Sequence, residues 1–309
     1  MIETTASRLG VTASGLVLAL ALFALLPQFG SDYLIGIGLT LFMWIALTES
    51  WVVLSGMTGY ISLGHAVFFG IGSYIAVLGW GVIPLWLSIL LGGAGAGLVA
   101  LIMGYPVLRV RGPYFVILTF GIAEFVKFCV VNVEAGLGKA GRLLFGAPSL
   151  ETLYYIMIIL AGLAIALTYW VRRSRFGTGL RAIRENEEAA ETLGVPVARY
   201  KIAAFALSAV IPGMVGAVMV LRVTYFEPLQ AFNPVVSFTI ISMAIIGGSD
   251  DAPGPLLGAI SLVVVSELLW SSFPQVYMIV LGVLLIGFVL WAPDGLYGRL
   301  TSLFRRRVS

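Results

Sequence analysis

At 309 residues, with 60% hydrophobic and only 11% charged side chains and a mean hydropathy of +1.04, the chain carries more apolar surface than a water-soluble fold of this length buries, so a helical membrane protein is expected. The net charge of +3 comes from basic residues at the ends of apolar runs, which excludes nucleic acid as a partner and leaves membrane lipid as the surroundings. A single cysteine, Cys129, excludes an internal disulfide, and with one histidine, His65, there is no His/Cys cluster for a metal and no sign of another cofactor.

Runs of about twenty apolar residues are needed to cross a bilayer as helix. In chain order the predicted spans lie near 11–29, 33–55, 60–80, 83–104, 113–133, 152–171, 202–222, 235–248, 254–270 and 275–292. The first, from Val11 into Pro27-Gln28-Phe29-Gly30, has no small-residue cleavage site and is predicted to be retained rather than removed as a signal peptide. The eighth is shorter than a full crossing. The expected fold is therefore an all-α polytopic bundle of about ten spans, a single transmembrane domain over residues 1–309 with a polar loop, 172–201, inside it. A thirteen-residue echo between Ala66–Leu78 and Ala209–Leu221 raises an internal duplication, a common feature of transporters.

The loop 172–201 holds seven of the eighteen basic residues and four of the fifteen acids, so it belongs in water. With Arg8, Arg109, Arg111 and the C-terminal Arg299, Arg305, Arg306 and Arg307, fourteen basic residues fall on one side. The positive-inside rule makes that side the cytoplasm and places both termini there. Within the loop Asn186 is a suitable N-cap, Glu187 and Glu188 put negative charge in the first turn, and Gly194 followed by Pro196 is a stop. A two-turn helix from Glu187 to Leu193 follows, with Ala189, Ala190 and Leu193 as a small apolar face. So short a helix is marginal alone and needs a surface to rest on, its own subunit or a partner.

Glu188-Ala189-Ala190, three residues, then Gly194 resembles the EAA loop of ABC importer permeases. The run from Arg175 to Ala209, with Gly59–Tyr74, Gly112–Phe115, Ile246–Gly248, Gly254–Ala259 and Ala292–Leu296, is similar to the branched-chain amino acid permease subunits of the LivM type, and covers most of the chain from about residue 55. The resemblance implies a non-catalytic subunit of an importer in the bacterial inner membrane. It would be paired with a second, LivH-like permease, two cytoplasmic ATPases and an external substrate-binding protein, with residues 186–194 inserting into the ATPase. The chain has no GxxxxGK[ST] phosphate-binding loop of its own. It departs from the family at Val133–Arg142, where a Leu-Thr-Gly-Gly-rich external segment is common, and it has no Ile-x-Leu-Pro element after Gly194.

Candidate pathway residues are Ser62 and His65 at a glycine-rich helix start and Tyr114, Phe115 and Thr119 at the start of the fifth span. An ionisable group in a membrane is a functional candidate, while an imidazole bonded to a neighbouring helix and aromatic residues anchoring the interface are the structural alternatives. Gly64, Gly70 and Gly72 are expected to allow close helix packing. Glu124 and Lys127, three apart, are expected to pair, and Glu49 and Glu267 to lie near span ends. Two other functions stay open: the same importer class carrying urea, short amides or another small solute, and an ion-coupled secondary carrier using Glu124 or His65.

Overall fold

A computed structural model describes residues 23–138, 141–248 and 253–272, and beyond these 279, 280, 282, 283, 286, 287 and 295–299. After a helical turn at Leu26–Phe29, the helices are α1 (Asp32–Thr58), α2 (His65–Gly79), α3 (Leu85–Val107), α4 (Pro113–Gly136), α5 (Leu150–Arg173), α6 (Arg175–Glu185), α7 (Glu187–Thr192), α8 (Val197–Met219), α9 (Val235–Gly247) and α10 (Gly254–Ser272). Seven helical segments among the described residues are long and apolar enough to cross a bilayer, α9 counting together with the turn at Pro228–Ala231. The chain is thus a multi-pass helical membrane protein. Most of the predicted first span and of the tenth, and Ala292–Asp294 of the C-terminal motif, lie outside the described residues; each of the other eight predicted spans contains a helix, the third only from His65 onward.

α1 and α8 form the interior. Twenty residues of α1 are buried, from Ile35 to Thr58, and most of the apolar stretch of α8 is covered. α2 and α3 pack on α8 because glycines remove the side chains that would keep the backbones apart. A methyl group built on Gly72 would lie 1.8 Å from the carbonyl oxygen of Gly213, and one built on Gly213 would lie 2.4 Å from that of Gly92. This is the close packing expected of Gly72. α4 is the least covered span, with Phe115, Thr119, Ala123 and Glu134 its buried residues.

The third predicted span is not one helix. α2 starts only at His65, and its fifteen residues reach about 22 Å at 1.5 Å each, short of the ~30 Å hydrocarbon layer. The six residues Gly59–Gly64 enter as non-helical chain that doubles back beside the last turns of α1. Ser62 donates its N–H to Ser55 Oγ at 3.3 Å, and its carbonyl accepts the Trp51 indole N–H at 2.9 Å. Leu63 N–H donates to Thr119 Oγ1 at 3.2 Å and Ala66 N–H to Ser237 Oγ at 2.9 Å. Irregular backbone inside a membrane protein persists only where protein satisfies it; here the side chains of Trp51, Ser55 and Thr119 do so, and Ser237 serves the first turn of α2.

At the end of the bundle away from α7, Arg142-Leu143 pairs antiparallel with Tyr225-Phe226. Buried Glu134 is held there by Arg142 at 2.8 and 3.1 Å and by the Tyr74 hydroxyl. The unusual segment 133–142 is therefore anchored by its own acid and base, with Lys139 and Ala140 outside the described residues.

Candidate functional site

The polar loop is built as two helices, of which only the second was expected. Ser174 joins α5 to α6: its Oγ donates to Val171 O at 2.7 Å, closing one helix, and accepts the Gly177 N–H at 3.1 Å, opening the next. Phe176, Leu180 and Ile183 follow helical spacing, but Gly177 and Gly179 lower helix propensity and hide the element. They are present because α6 lies tight on its neighbours: a methyl group on Gly177 would meet Val171 O at 2.0 Å, and one on Gly179 the Tyr200 ring at 2.4 Å. Arg184, in the last turn of α6, donates to Gly56 O at 2.9 Å and so ties the loop beneath the end of α1.

α7 has the predicted start and almost the predicted end. Asn186 adopts extended backbone and its Oδ1 accepts the Ala189 N–H at 3.0 Å. Gly194, at φ +84°, donates to Glu191 O at 2.9 Å while Val195 donates to Ala190 O at 3.0 Å. Those two bonds are the paired closure of a Schellman motif, which places Leu193 at the cap rather than within the helix. The expected apolar face divides. Ala190 is 1% exposed against the inner cluster of Leu54, Phe205 and Ile183, whereas Ala189 is exposed and Leu193 is 82% exposed.

The two glutamates part company in the same way. Glu188 is exposed, with only the Arg111 guanidinium 3.9 Å away. Glu187 turns inward, where its Oε1 accepts from the Tyr60 hydroxyl and from Lys201 Nζ at 3.0 Å, and its Oε2 lies 3.0 Å from Arg111 Nε. Lys201, at 5% exposure, also donates to Tyr60 Oη and to Leu108 O, each at 3.1 Å, so all three of its N–H groups are used. Its ammonium also sits 4.6 Å from the centre of the Tyr60 ring. Burial alone would raise the Glu187 carboxyl, but hydrogen bonds from Tyr60 and Lys201, with the charges of Lys201 and Arg111, hold it below the usual carboxylate range. A cleft of about 760 Å³ opens beside this cluster, walled by Tyr60, Arg111, Pro113, Asn186 and Glu187 among others.

Tyr60, Arg111 and Lys201 are the members of this cluster that sequence reasoning missed. Lys201 counted only as a topology charge, although a lysine four residues into an apolar helix has to find partners, and that signal was available.

The broken entry to α2 brings four of the five candidate pathway residues together. Ser62 is buried and its Oγ accepts the Gly64 N–H at 3.2 Å. Thr119, also buried, supports Leu63. Phe115 meets the Tyr60 ring edge to face, centroids 5.0 Å apart. His65 is fully buried and neither ring nitrogen has a hydrogen-bond partner, so the expected bond to a neighbouring helix is absent; its ring instead meets Phe68 edge-on at 5.6 Å. Tyr114 is 73% exposed and takes no part in this group. A cavity of only about 10 Å³ lies beside Gly64 and Thr119.

Of the other acids, Glu124 pairs with Lys127 at 2.5 Å as expected, and Glu267 accepts from the Tyr33 hydroxyl. Glu49 departs from its expected position: α1 continues nine residues past it to Thr58, which leaves it buried well inside the bundle.

The profile of the family described as "Branched-chain amino acid transport system / permease component" matches residues 34–289. The chain is 27% identical over 278 residues to the high-affinity branched-chain amino acid transport system permease protein LivM of Escherichia coli K12, a match over 79% of this chain and 65% of that protein. The chain thus spans somewhat under two thirds of that relative's length. It is 26% identical over 271 residues to LivH of Salmonella typhimurium, covering 79% of this chain and 87% of that protein. A shorter stretch of 128 residues is 32% identical to the L-arabinose transport system permease protein AraH of E. coli K12, over 41% of this chain and 36% of that one. No solved structure gives a significant match. Because the family profile extends over most of the chain, including both the broken entry to α2 and the α6–α7 loop, the chain belongs to the permease-component family of branched-chain amino acid transport systems.

Proposed function

We propose that the chain is the non-catalytic transmembrane subunit of an ATP-driven importer in the bacterial inner membrane. With a second permease it forms the translocation path for branched-chain or related amino acids. Its α7 face is cytoplasmic and docks one of two ATPases, and the opposite end receives cargo from an external binding protein. Both termini lie on the α7 side, and residues 1–309 act as one domain in which 172–201 is the coupling loop. Ser62, His65, Phe115 and Thr119 lie along the cargo's route, with Tyr114 at its edge.

The observation that carries this reading is the division of α7 into two faces. Glu187 and Ala190 fix the helix to its own bundle, while Glu188, Ala189 and Leu193 are left facing out on a helix closed at both ends. It is the combination that supports docking: a short helix capped at both ends and anchored on one face, which leaves a carboxylate and a leucine together on the other.

The test is the assembled importer with changes on the outward face. Leu193→Asp and Glu188→Lys, both on exposed positions, are expected to lose ATPase binding and transport while membrane insertion and thermal stability of the purified chain stay within reach of the parent. Parental transport in both variants would refute the assignment. Transport by the purified chain alone, driven by an ion gradient with no ATPase, would replace it with a secondary carrier. The match to an arabinose permease favours keeping a second cargo class, another small organic solute, within the same machinery; ligand titrations of the co-encoded binding protein decide between them.

A further inference from the structure

The inward face of α7 does more than hold the helix in place. Three separate elements meet on one ammonium: Lys201 Nζ of α8 binds Glu187 of α7, the Leu108 carbonyl just past α3, and the hydroxyl of Tyr60. Tyr60 stands at the head of the non-helical run Gly59–Gly64, and that run has no helix of its own to stiffen it. Its hydrogen bonds go to Trp51 and Ser55 of α1 and to Thr119 of α4, and it ends on His65, whose ring nitrogens have no partners. α8, the element that carries Lys201, is in turn wedged against α2 through Gly213 and Gly72. Glu187, Tyr60 and Lys201 thus share one set of hydrogen bonds, through which a displacement of Glu187 pulls on the other two.

We infer that Lys201 and Tyr60 form a joint that carries the movement of α7 to the broken entry of α2, so that they are positioning residues for transport. This rests on the reading of α7 as the ATPase-coupling helix. The chemistry suits a joint that must hold and then move. A buried ion pair is weak as a source of net stability, because desolvation offsets its attraction, but it strongly disfavours arrangements in which one charge is left alone. The cluster therefore travels as a unit. The six residues of α7, closed by Asn186 at one end and by Gly194 and Val195 at the other, give it a stiff lever.

Lys201→Met is the informative variant, because Glu187 keeps Tyr60 and Arg111 and no buried charge is orphaned. Tyr60→Phe is its partner, since it removes one oxygen and keeps the ring against Phe115. Both are placed in the full importer, purified with its ATPases, partner permease and binding protein. Cargo moved per ATP hydrolysed is expected to fall about tenfold or more in each, within the range of ordinary coupling between sites, while hydrolysis itself continues. A second readout follows the entry segment directly. With Cys129→Ser removing the exposed native thiol, Ser62→Cys is expected to react with a small methanethiosulfonate reagent at rates about tenfold apart in nucleotide-free and vanadate-trapped importer. That difference is expected to vanish when Lys201→Met or Tyr60→Phe is added.

Parental transport per ATP in both variants overturns the joint. So does a parallel fall of transport and hydrolysis with the state-dependent reactivity of Ser62→Cys unchanged, which is the outcome of a purely structural cluster. If Lys201→Met does not assemble, Tyr60→Phe decides alone. Failure of any ATPase to associate with the unaltered chain would instead overturn the reading of α7 itself, and this inference with it.

Discussion

Two opposing influences act on the carboxyl of Glu187: burial, which disfavours its charge, and three neighbours, Tyr60, Lys201 and Arg111, that favour it. The neighbours prevail and hold it below the ordinary range. A carboxyl whose pKa is lowered by folding contributes stability at pH above its unfolded value and loses that contribution as pH falls through its lowered folded value. The attachment of α7 is therefore expected to be indifferent to pH from about 8 down to about 5 and to loosen only below the ordinary glutamate range near 4.3. Hydrogen–deuterium exchange over residues 186–194, corrected for intrinsic rates, checks this; loosening between pH 7 and pH 6 would contradict the assignment of partners. Glu188, one position along, is exposed and has neither Tyr60 nor Lys201 beside it, only the Arg111 guanidinium at 3.9 Å, and the difference between the two adjacent glutamates could not be read from their letters. What decided it was the 100° turn between successive helical residues combined with a lysine fourteen positions downstream.

Among the elements, α2 depends most on what it lacks. With Gly72 against Gly213, the α2–α8 crossing brings backbone within reach of backbone, and a single methyl group there has nowhere to go. Gly72→Ala is expected to destabilise the chain by about 1–3 kcal/mol through overpacking. Gly121→Ala on α4, where an added methyl group meets nothing within 4 Å, is expected to be neutral or to stabilise by about 0.5–1 kcal/mol, the usual difference between the two residues in a helix. Thermal unfolding of both variants in detergent separates them; equal losses would mean that the crossing is looser than described. This contrast also shows where sequence was sufficient and where it was not. Long apolar runs give α1, α3, α4, α5 and α8 directly, because length and hydropathy are all that a bilayer requires. The break before His65 and the helix α6 were less accessible. In both, glycine and serine satisfy a tertiary demand that local propensity reads the other way: Gly177 and Gly179 sit in a helix, while the apolar stretch after Tyr60 is not one.

At the scale of the whole molecule, two clusters of charged side chains lie at opposite ends. α7, Arg111, Arg184 and Lys201 gather at one, and Glu134, Arg142, Tyr74 and the Arg142–Phe226 pairing at the other. Orientation in the membrane follows from assigning either end. In a Cys129→Ser background, Leu193→Cys is expected to react with a membrane-impermeant maleimide only in inverted vesicles, and Leu137→Cys, also exposed, only in right-side-out cells. The reverse pattern would turn the proposed topology over. The charge bias of the loops makes this end-to-end division legible in the sequence alone. The pairing of Arg142 with Glu134 is not legible there, since an acid and a base eight residues apart meet only because α4 runs on to Gly136 and the chain then folds back.

The closure of α7 at its C-terminal end has one further meaning. Ala190 and Glu191 give their carbonyls to Val195 and Gly194, so little of the backbone there is left for a visitor to grasp. Whatever docks on this helix must identify it by a few side chains, chiefly Glu188 and Leu193. If α7 is the coupling helix proposed above, so small a vocabulary makes its docking surface portable: exchanging those two residues for the pair carried by a sister permease is expected to let the chain work with that permease's ATPase.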